Sequence, residues 1–83
     1  FTINDTRFGL HVYPNPFSEY IEITSVSNIE SISITDLTGK ILMRQNSLNK
    51  DRIVVSLSDF KAGLYFILIN TGESKSVHRI IKQ

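Results

Sequence analysis

Apolar residues recur at every second position over much of the chain. Ile21 and Ile23 alternate with Glu22 and Thr24, and three further segments repeat this pattern. Because successive side chains of a strand point to opposite faces, this period predicts half-buried β-strands. Counting these segments together with less regular ones, we predict seven strands: Leu10–Tyr13, Glu19–Thr24, Ile29–Leu37, Ile41–Arg44, Arg52–Leu57, Gly63–Asn70 and Lys75–Lys82.

The segment Gly63–Asn70 departs from the alternation because it is apolar on both faces. Leu64, Phe66 and Leu68 point one way, and the residues between them point the other way. Burying one large apolar side chain stabilises a fold by about 1.5–3 kcal/mol. We therefore expect this strand to be covered on both faces and to lie in the interior of a sheet rather than at its edge.

Turn signals separate the predicted strands. Pro14-Asn15-Pro16 ends the first strand, because each proline lacks a backbone N–H and restrains the residue before it to extended geometry. Ser25–Asn28 reads as a turn, and Asp36–Lys40 as a hairpin connection in which Gly39 takes positive φ. Ser58–Gly63 is the one segment in which we expect a helical turn, and nowhere does the sequence show an amphipathic helix.

Together these features predict an all-β domain. Its 83 residues suffice for one core. Covering a two-sided apolar strand with β-structure alone leaves a sandwich or a small barrel. We favour an immunoglobulin-like antiparallel β-sandwich of about seven strands, although the Cys and Trp of antibody domains are absent.

Composition then narrows the classes of function. A net charge of +1 gives no general attraction to nucleic acid or anionic membranes, and without cysteine there are no disulfides or thiolates. The longest apolar run, Leu64–Ile69, is far shorter than the roughly 20 residues of a membrane span. Since the chain begins at Phe1 rather than Met, we expect it to be part of a longer protein.

The residues also offer poor material for catalysis. His11 and His78 are isolated in predicted strands, the eight carboxylates are scattered, and the glycines form no phosphate-binding loop. We expect no enzymatic activity, no metal site, no cofactor and no small-molecule substrate.

Two groups of residues suit recognition instead. Tyr13, Tyr20 and Tyr65 could stack on carbohydrate, although their distribution favours packing in the core. The last strand carries Lys75, Arg79 and Lys82 and no acid. These cations could protect a sheet edge from aggregation, or they could offer a partner an edge for strand addition or a charged surface. The residues alone leave that choice open.

The order and spacing of four motifs resemble the C-terminal sorting domain (type A) of proteins secreted by the type IX system of Bacteroidota. The similarity runs from about Leu10 to the end of the chain. The matching motifs are Tyr13-Pro14-Asn15-Pro16, Ile34-Thr35-Asp36-Leu37-Thr38-Gly39-Lys40, Val55-Ser56-Leu57-Ser58-Asp59-Phe60 with Gly63-Leu64-Tyr65-Phe66, and the basic end at Lys82. The one departure is Gln83, which follows the final cation.

The resemblance implies a non-catalytic secretion signal that directs its parent protein through the periplasm and across the outer membrane, to the cell surface or the medium. The implied partners are the outer-membrane translocon, a shuttle protein and a sortase-like peptidase that removes the signal. Residues 1–9 would then be a linker with the cleavage region, and 10–83 the sorting domain. We expect the recognition residues Pro14, Asn15, Pro16, Lys75, Arg79 and Lys82 to be the exposed features that a receptor reads, and Asp36, Gly39, Lys40, Gly63 and Tyr65 to be structural. The alternative is a cell-surface accessory sandwich that binds carbohydrate or protein for an upstream enzyme.

Overall fold

A computed structural model describes residues 3–5, 9–46, 48–72 and 74–83. This part of the chain is all-β and contains no helix, hence none that could cross a membrane. Its strands are β1 (Ile3–Asp5), β2 (Leu10–Tyr13), β3 (Tyr20–Ile29), β4 (Ser31–Thr35), β5 (Ile41–Gln45), β6 (Lys50–Ser56), β7 (Gly63–Asn70) and β8 (Lys75–Lys82). The seven predicted strands are confirmed, and β1 adds an eighth by pairing with β2.

The strands form two antiparallel sheets, in the orders β1-β2-β3-β6 and β5-β4-β7-β8. The chain passes from the first sheet to the second after β3, returns after β5 and crosses again after β6. Such crossings between two antiparallel sheets are those of an immunoglobulin-like sandwich, so the predicted fold class is confirmed.

The core lies between the sheets and is built from the alternating apolar positions. On β3, for example, Ile21 and Ile23 are fully buried, while Tyr20 and Thr24 are more accessible. The buried apolar residues are Leu10, Val12, Phe17, Ile21, Ile23, Ile29, Ile32, Ile34, Ile53, Val55, Leu57, Ile67, Ile69 and Ile80. The period of two therefore identified the inward faces of the central strands.

Strand β7 is interior, as predicted, because it pairs with β4 on one side and β8 on the other. The prediction that both of its faces are covered was wrong. Ile67 and Ile69 face the core, but Leu68 on the opposite face is 37% exposed, and Leu64 and Phe66 are half-buried. In a two-layer sandwich each sheet has only one covered face, so these three side chains lie on the outside of the second sheet.

The predicted turn at Ser25–Asn28 was also wrong. These residues continue β3, and the pairing of β3 with β6 shifts register between Thr24 and Ile29. The change of direction comes at Glu30, whose N–H donates to the Asn70 carbonyl. The polar residues therefore mark an irregular strand that leaves one sheet for the other, rather than a turn.

The segment Ser58–Gly63 forms no helical turn. It is a turn in which the Phe60 N–H donates to the Leu57 carbonyl at 3.0 Å. The expected role of Phe60 is confirmed, since its ring packs against the edge of the core.

Candidate functional site

The segment Pro14–Phe17, here called the proline corner, is hydrogen-bonded to the last strand. The Asn15 side-chain amide donates to the Arg79 carbonyl and accepts from the Ile81 N–H, both at 3.0 Å. The Phe17 N–H donates to the Ile81 carbonyl at 2.9 Å, and the Gln83 N–H donates to the Phe17 carbonyl at 2.8 Å. Four hydrogen bonds thus join two motifs that lie far apart in the sequence.

The chemistry of the proline corner explains why asparagine serves at this position. Pro14 and Pro16 have no N–H, so the backbone there cannot pair as an ordinary strand. A primary amide carries a donor and an acceptor, as a peptide group does, and Asn15 uses both against β8. The side chain takes the place of a missing backbone partner.

This joint covers part of an exposed sheet edge. Strand β8 is at the edge of its sheet, and Phe17 lies opposite Lys82 as a parallel bridge. The proline corner therefore occupies the edge of β8 from Arg79 to Gln83, where a partner strand could not pair. Strand addition to this half of β8 is blocked, which favours recognition of its side chains.

The residues expected to be exposed in the proline corner differ in accessibility. Pro14 is exposed and Pro16 is half-buried, but Asn15 is buried, with 9% of its surface accessible. The expectation that the whole motif is exposed was wrong for Asn15, because its amide faces β8. Phe17, next in the chain, is 1% exposed and anchors the proline corner in the core.

The three cations of the last strand do not share one face. Lys75 and Arg79 are exposed on the outside of the sheet, whereas Lys82 is half-buried, and its ammonium donates to the Gln83 carbonyl at 3.2 Å. Among the described residues, no carboxylate forms an ion pair with Lys75 or Arg79. Lys75 and Arg79 are thus two exposed cations on the outside of this sheet, where a partner can reach them.

The hairpin motif forms a closed turn between β4 and β5. The Asp36 carboxylate accepts from the N–H groups of Thr38, at 2.8 Å, and Lys40, at 3.1 Å, and from the Thr38 hydroxyl. These bonds hold the pKa of Asp36 below its ordinary value, and the bond from the Thr38 hydroxyl has the largest effect. Gly39 has φ of +89°, a conformation that side chains disfavour. Asp36, Gly39 and Lys40 therefore belong to the turn that connects the paired strands β4 and β5.

The glycine-tyrosine motif lies at the start of β7. Gly63 pairs directly with Lys82, and the Tyr65 hydroxyl donates to the Lys61 carbonyl at 2.6 Å. The Tyr65 and Phe60 rings meet edge to face, with centroids 5.2 Å apart. These contacts close one end of the sandwich beside the end of the last strand.

Sequence reasoning missed a polar network on the outside of the first sheet. The Glu22 carboxylate accepts from the Tyr13 hydroxyl, and its Oε2 lies 2.8 Å from Arg52 Nε. The hydrogen bond from the Tyr13 hydroxyl lowers the pKa of Glu22 most, and the Arg52 guanidinium lowers it further. The same hydrogen bond raises the pKa of Tyr13. No local pattern signals this network, because Glu22 occupies the outward position of a half-buried strand and the register of the sheet, which places Tyr13 opposite Glu22, sets its partners.

The Glu22 network predicts a pH dependence of stability. Because its folded pKa is depressed, Glu22 stabilises the fold above its unfolded pKa of 4.5, and the contribution is lost as the pH falls through the folded pKa. We expect Glu22→Gln to lower the thermal midpoint at neutral pH and to flatten its fall below pH 4.5. Thermal unfolding followed by circular dichroism from neutral pH to about pH 2 measures both effects.

Asp36→Asn is the control for this pH series, because Asp36 also has a depressed pKa. The two variants should each remove part of the acid dependence, and the double variant should remove more than either. Parallel pH profiles for the intact chain and Glu22→Gln would contradict the prediction, because the ionisation of Glu22 would then add nothing to the pH dependence of stability.

Other candidate sites from the sequence are not assembled. His11 is exposed on β2 and His78 is buried on β8, in different sheets. The described residues include no cluster of three or more metal-ligating side chains. Among them Tyr20 is the one exposed aromatic residue, so the row of rings expected of a carbohydrate-binding face is not formed there.

Comparison with known protein families gives a match that covers most of the chain. The family model described as "Secretion system C-terminal sorting domain" matches residues 11–83. No curated protein matches the chain. The matched residues include the proline corner, the hairpin turn, β7 and β8, the elements that the preceding contacts connect.

Proposed function

This chain belongs to the secretion system C-terminal sorting domain family, and from that premise we propose that the proline corner and β8 act together as the part that the secretion machinery reads. The chain is a C-terminal secretion signal for type IX secretion. Its family implies export across the outer membrane to the cell surface or the medium, and interaction with the type IX machinery.

The observation that carries this proposal is the joint between two motifs 64 positions apart. Asn15 and Phe17 hold the end of β8 against the sandwich, and this fixes the backbone from which Arg79 projects. A recognition surface binds more tightly when its side chains are held in place before the partner arrives. We therefore assign Pro14, Asn15 and Pro16 to the presentation of the last strand, and Lys75 and Arg79 to contact with the partner.

The remaining assignments concern the steps of export. In this proposal the parent protein reaches the periplasm by a separate signal peptide, and a shuttle protein and the outer-membrane translocon recognise residues 10–83. A sortase-like peptidase then cuts within residues 1–9, the linker. The domain contributes recognition alone and no catalysis, in keeping with the generally non-catalytic character of its family.

A reporter fusion tests the proposal. We expect a reporter with an ordinary periplasmic signal peptide and this chain at its C-terminus to reach the surface or medium of a host with the type IX system. The same fusion should stay in the periplasm when the host lacks the translocon or when Ser74–Gln83 is deleted. Fractionation and immunoblotting measure the distribution, and mass spectrometry of the exported reporter locates the cut.

The controls separate the outcomes. The reporter without the chain should remain in the periplasm in both hosts. If the intact fusion stays there in the competent host, the chain is not a sufficient signal. If export succeeds without Ser74–Gln83, the last strand is not the part that is read. An exported reporter that still carries residues 10–83 would contradict the assigned cleavage.

A further inference from the structure

The outside of the sheet β5-β4-β7-β8, here called the outer face, combines uncovered apolar side chains with cations that form no ion pair among the described residues. The strand register places Arg44, Ser33, Leu68 and Val77 in one row across the four strands. Leu68 is 37% exposed and Val77 62% exposed. Neighbouring rows on this face hold Asn70 with Lys75, Phe66 with Arg79, and Leu64 with Ile81.

The charged side chains described on the outer face have one sign. Its described residues contribute three cations, Arg44, Lys75 and Arg79, and no carboxylate. Glu30 lies at the margin, where its side chain rests against Gly72. A partner that brings carboxylates to this face would therefore meet complementary charge, and complementary charge raises the rate and specificity of association.

A groove in the outer face adds hydrogen-bonding groups. It has a volume of about 240 Å³ and is lined by two serines, two asparagines, Leu68, Arg44 and Lys75. Arg44 is oriented over this groove by a bond from its Nε to the Ser33 hydroxyl at 3.3 Å. Guanidinium, ammonium, hydroxyl and amide groups around one apolar side chain suit a carboxylate next to an aliphatic residue.

We propose that the outer face binds a protein segment of the secretion machinery in which acidic residues alternate with apolar ones, the acids meeting Arg44, Lys75 and Arg79 and the apolar residues meeting Leu68 and Val77. The inference rests on the proposed function and names the partner of its recognition surface. Three cations are fewer than the four to eight of a typical anionic membrane site, and the amide-lined groove suits a peptide. A protein segment therefore fits this face better than a lipid surface.

Matched substitutions on the two sheets test the proposal in the reporter fusion. Val77 and Val54 lie on edge strands of opposite sheets and are 62% and 58% exposed. Lys75 and Lys50 are each the exposed first residue of an edge strand. We expect Val77→Asp and Lys75→Glu to lower the exported fraction by about tenfold, because each places a negative charge against an acidic partner. Val54→Asp and Lys50→Glu should export as the intact fusion does.

Thermal unfolding of the purified chains shows whether each variant folds. If Val77→Asp fails to fold, Lys75→Glu still tests the inference, because it changes only an exposed side chain. Equal export of Lys75→Glu and Lys50→Glu, with the intact fusion exported, would overturn the inference and leave the secretion signal standing. Failure of the intact fusion itself would overturn the proposed function, and the inference with it.

Photo-crosslinking identifies the class of partner. A benzophenone side chain at position 77 of an exporting fusion should crosslink to a peptide that contains Asp or Glu, and Lys75→Glu should abolish the product. A benzophenone side chain at position 54 should not give this crosslinked product. A crosslinked peptide without acidic residues overturns the inference. Sedimentation of the purified chain with phosphatidylglycerol vesicles, lost in Lys75→Glu, would overturn it in favour of a lipid surface.

Discussion

Phe17→Ala is expected to lower the free energy of unfolding by about 3–5 kcal/mol, the usual cost of emptying a fully buried phenylalanine site. Phe17 is 1% exposed and lies at the point where the proline corner enters the core. A loss of this size is a large share of the roughly 5–15 kcal/mol that stabilises a small domain. Urea unfolding followed by circular dichroism measures the difference between the two chains.

Phe60→Ala provides the comparison for this loss. Phe60 is half-buried at the edge of the core, so its truncation should cost less, about 1–2 kcal/mol, because less apolar surface returns to water. Equal losses of free energy at the two positions would mean that Phe17 is not anchored in the core as the structure shows. The proline corner would then have no buried side chain that fixes it beside β8.

Asn15→Ala is expected to release the end of β8 without emptying the core. The substitution removes the donor to the Arg79 carbonyl and the acceptor for the Ile81 N–H. With two hydrogen bonds lost at a buried position, we expect the free energy of unfolding to fall by about 2 kcal/mol. The substitution should also accelerate amide hydrogen exchange at Ile81, whose N–H loses its acceptor. Exchange in the middle of β7 should change less.

Asn28→Ala is the matched control. The Asn28 side chain donates to the Asn49 side chain at 3.1 Å at an exposed site, so its removal should change stability by no more than about 0.5 kcal/mol. If Asn15→Ala is as mild as Asn28→Ala, and Ile81 exchanges as before, the side-chain amide does not hold the last strand.

The local pattern of the sequence was enough to predict β2 to β8, although not β1, because alternation with a period of two reports directly on which side chains face a core. The bounds of β2, β7 and β8 coincide with the predicted segments. The pattern failed for β7 in one respect. Alternating apolar residues reveal two faces, but they do not reveal that only one of them has a sheet to cover it.

The candidate site was less accessible to such reasoning. The proline motif and the basic strand could each be identified locally, but the joint between them depends on contacts across 64 and 66 positions. No periodicity records a contact of that range. The sequence therefore predicted both parts of the site and missed that Asn15 unites them, and it also missed the pairing of Tyr13 with Glu22 across two strands.

The two sheets differ in how their charged side chains are paired. In the first sheet, the buried carboxylate of Glu22 is satisfied internally, through Tyr13 and Arg52. On the second sheet, the cations Lys75 and Arg79 form no ion pair with any described carboxylate. Exposed cations without a carboxylate partner in the described part of the chain suit an acidic partner, and the proline corner holds this surface in place from the neighbouring sheet.

The most direct test of this account is the export of the reporter fusion with Asn15→Ala beside that with Asn28→Ala, at a temperature at which both purified chains remain folded. We expect the Asn28→Ala fusion to reach the surface or medium as the intact fusion does, and the Asn15→Ala fusion to accumulate in the periplasm. Equal export of the two folded variants would contradict it, because the machinery would then read the chain without the joint between the proline corner and the last strand.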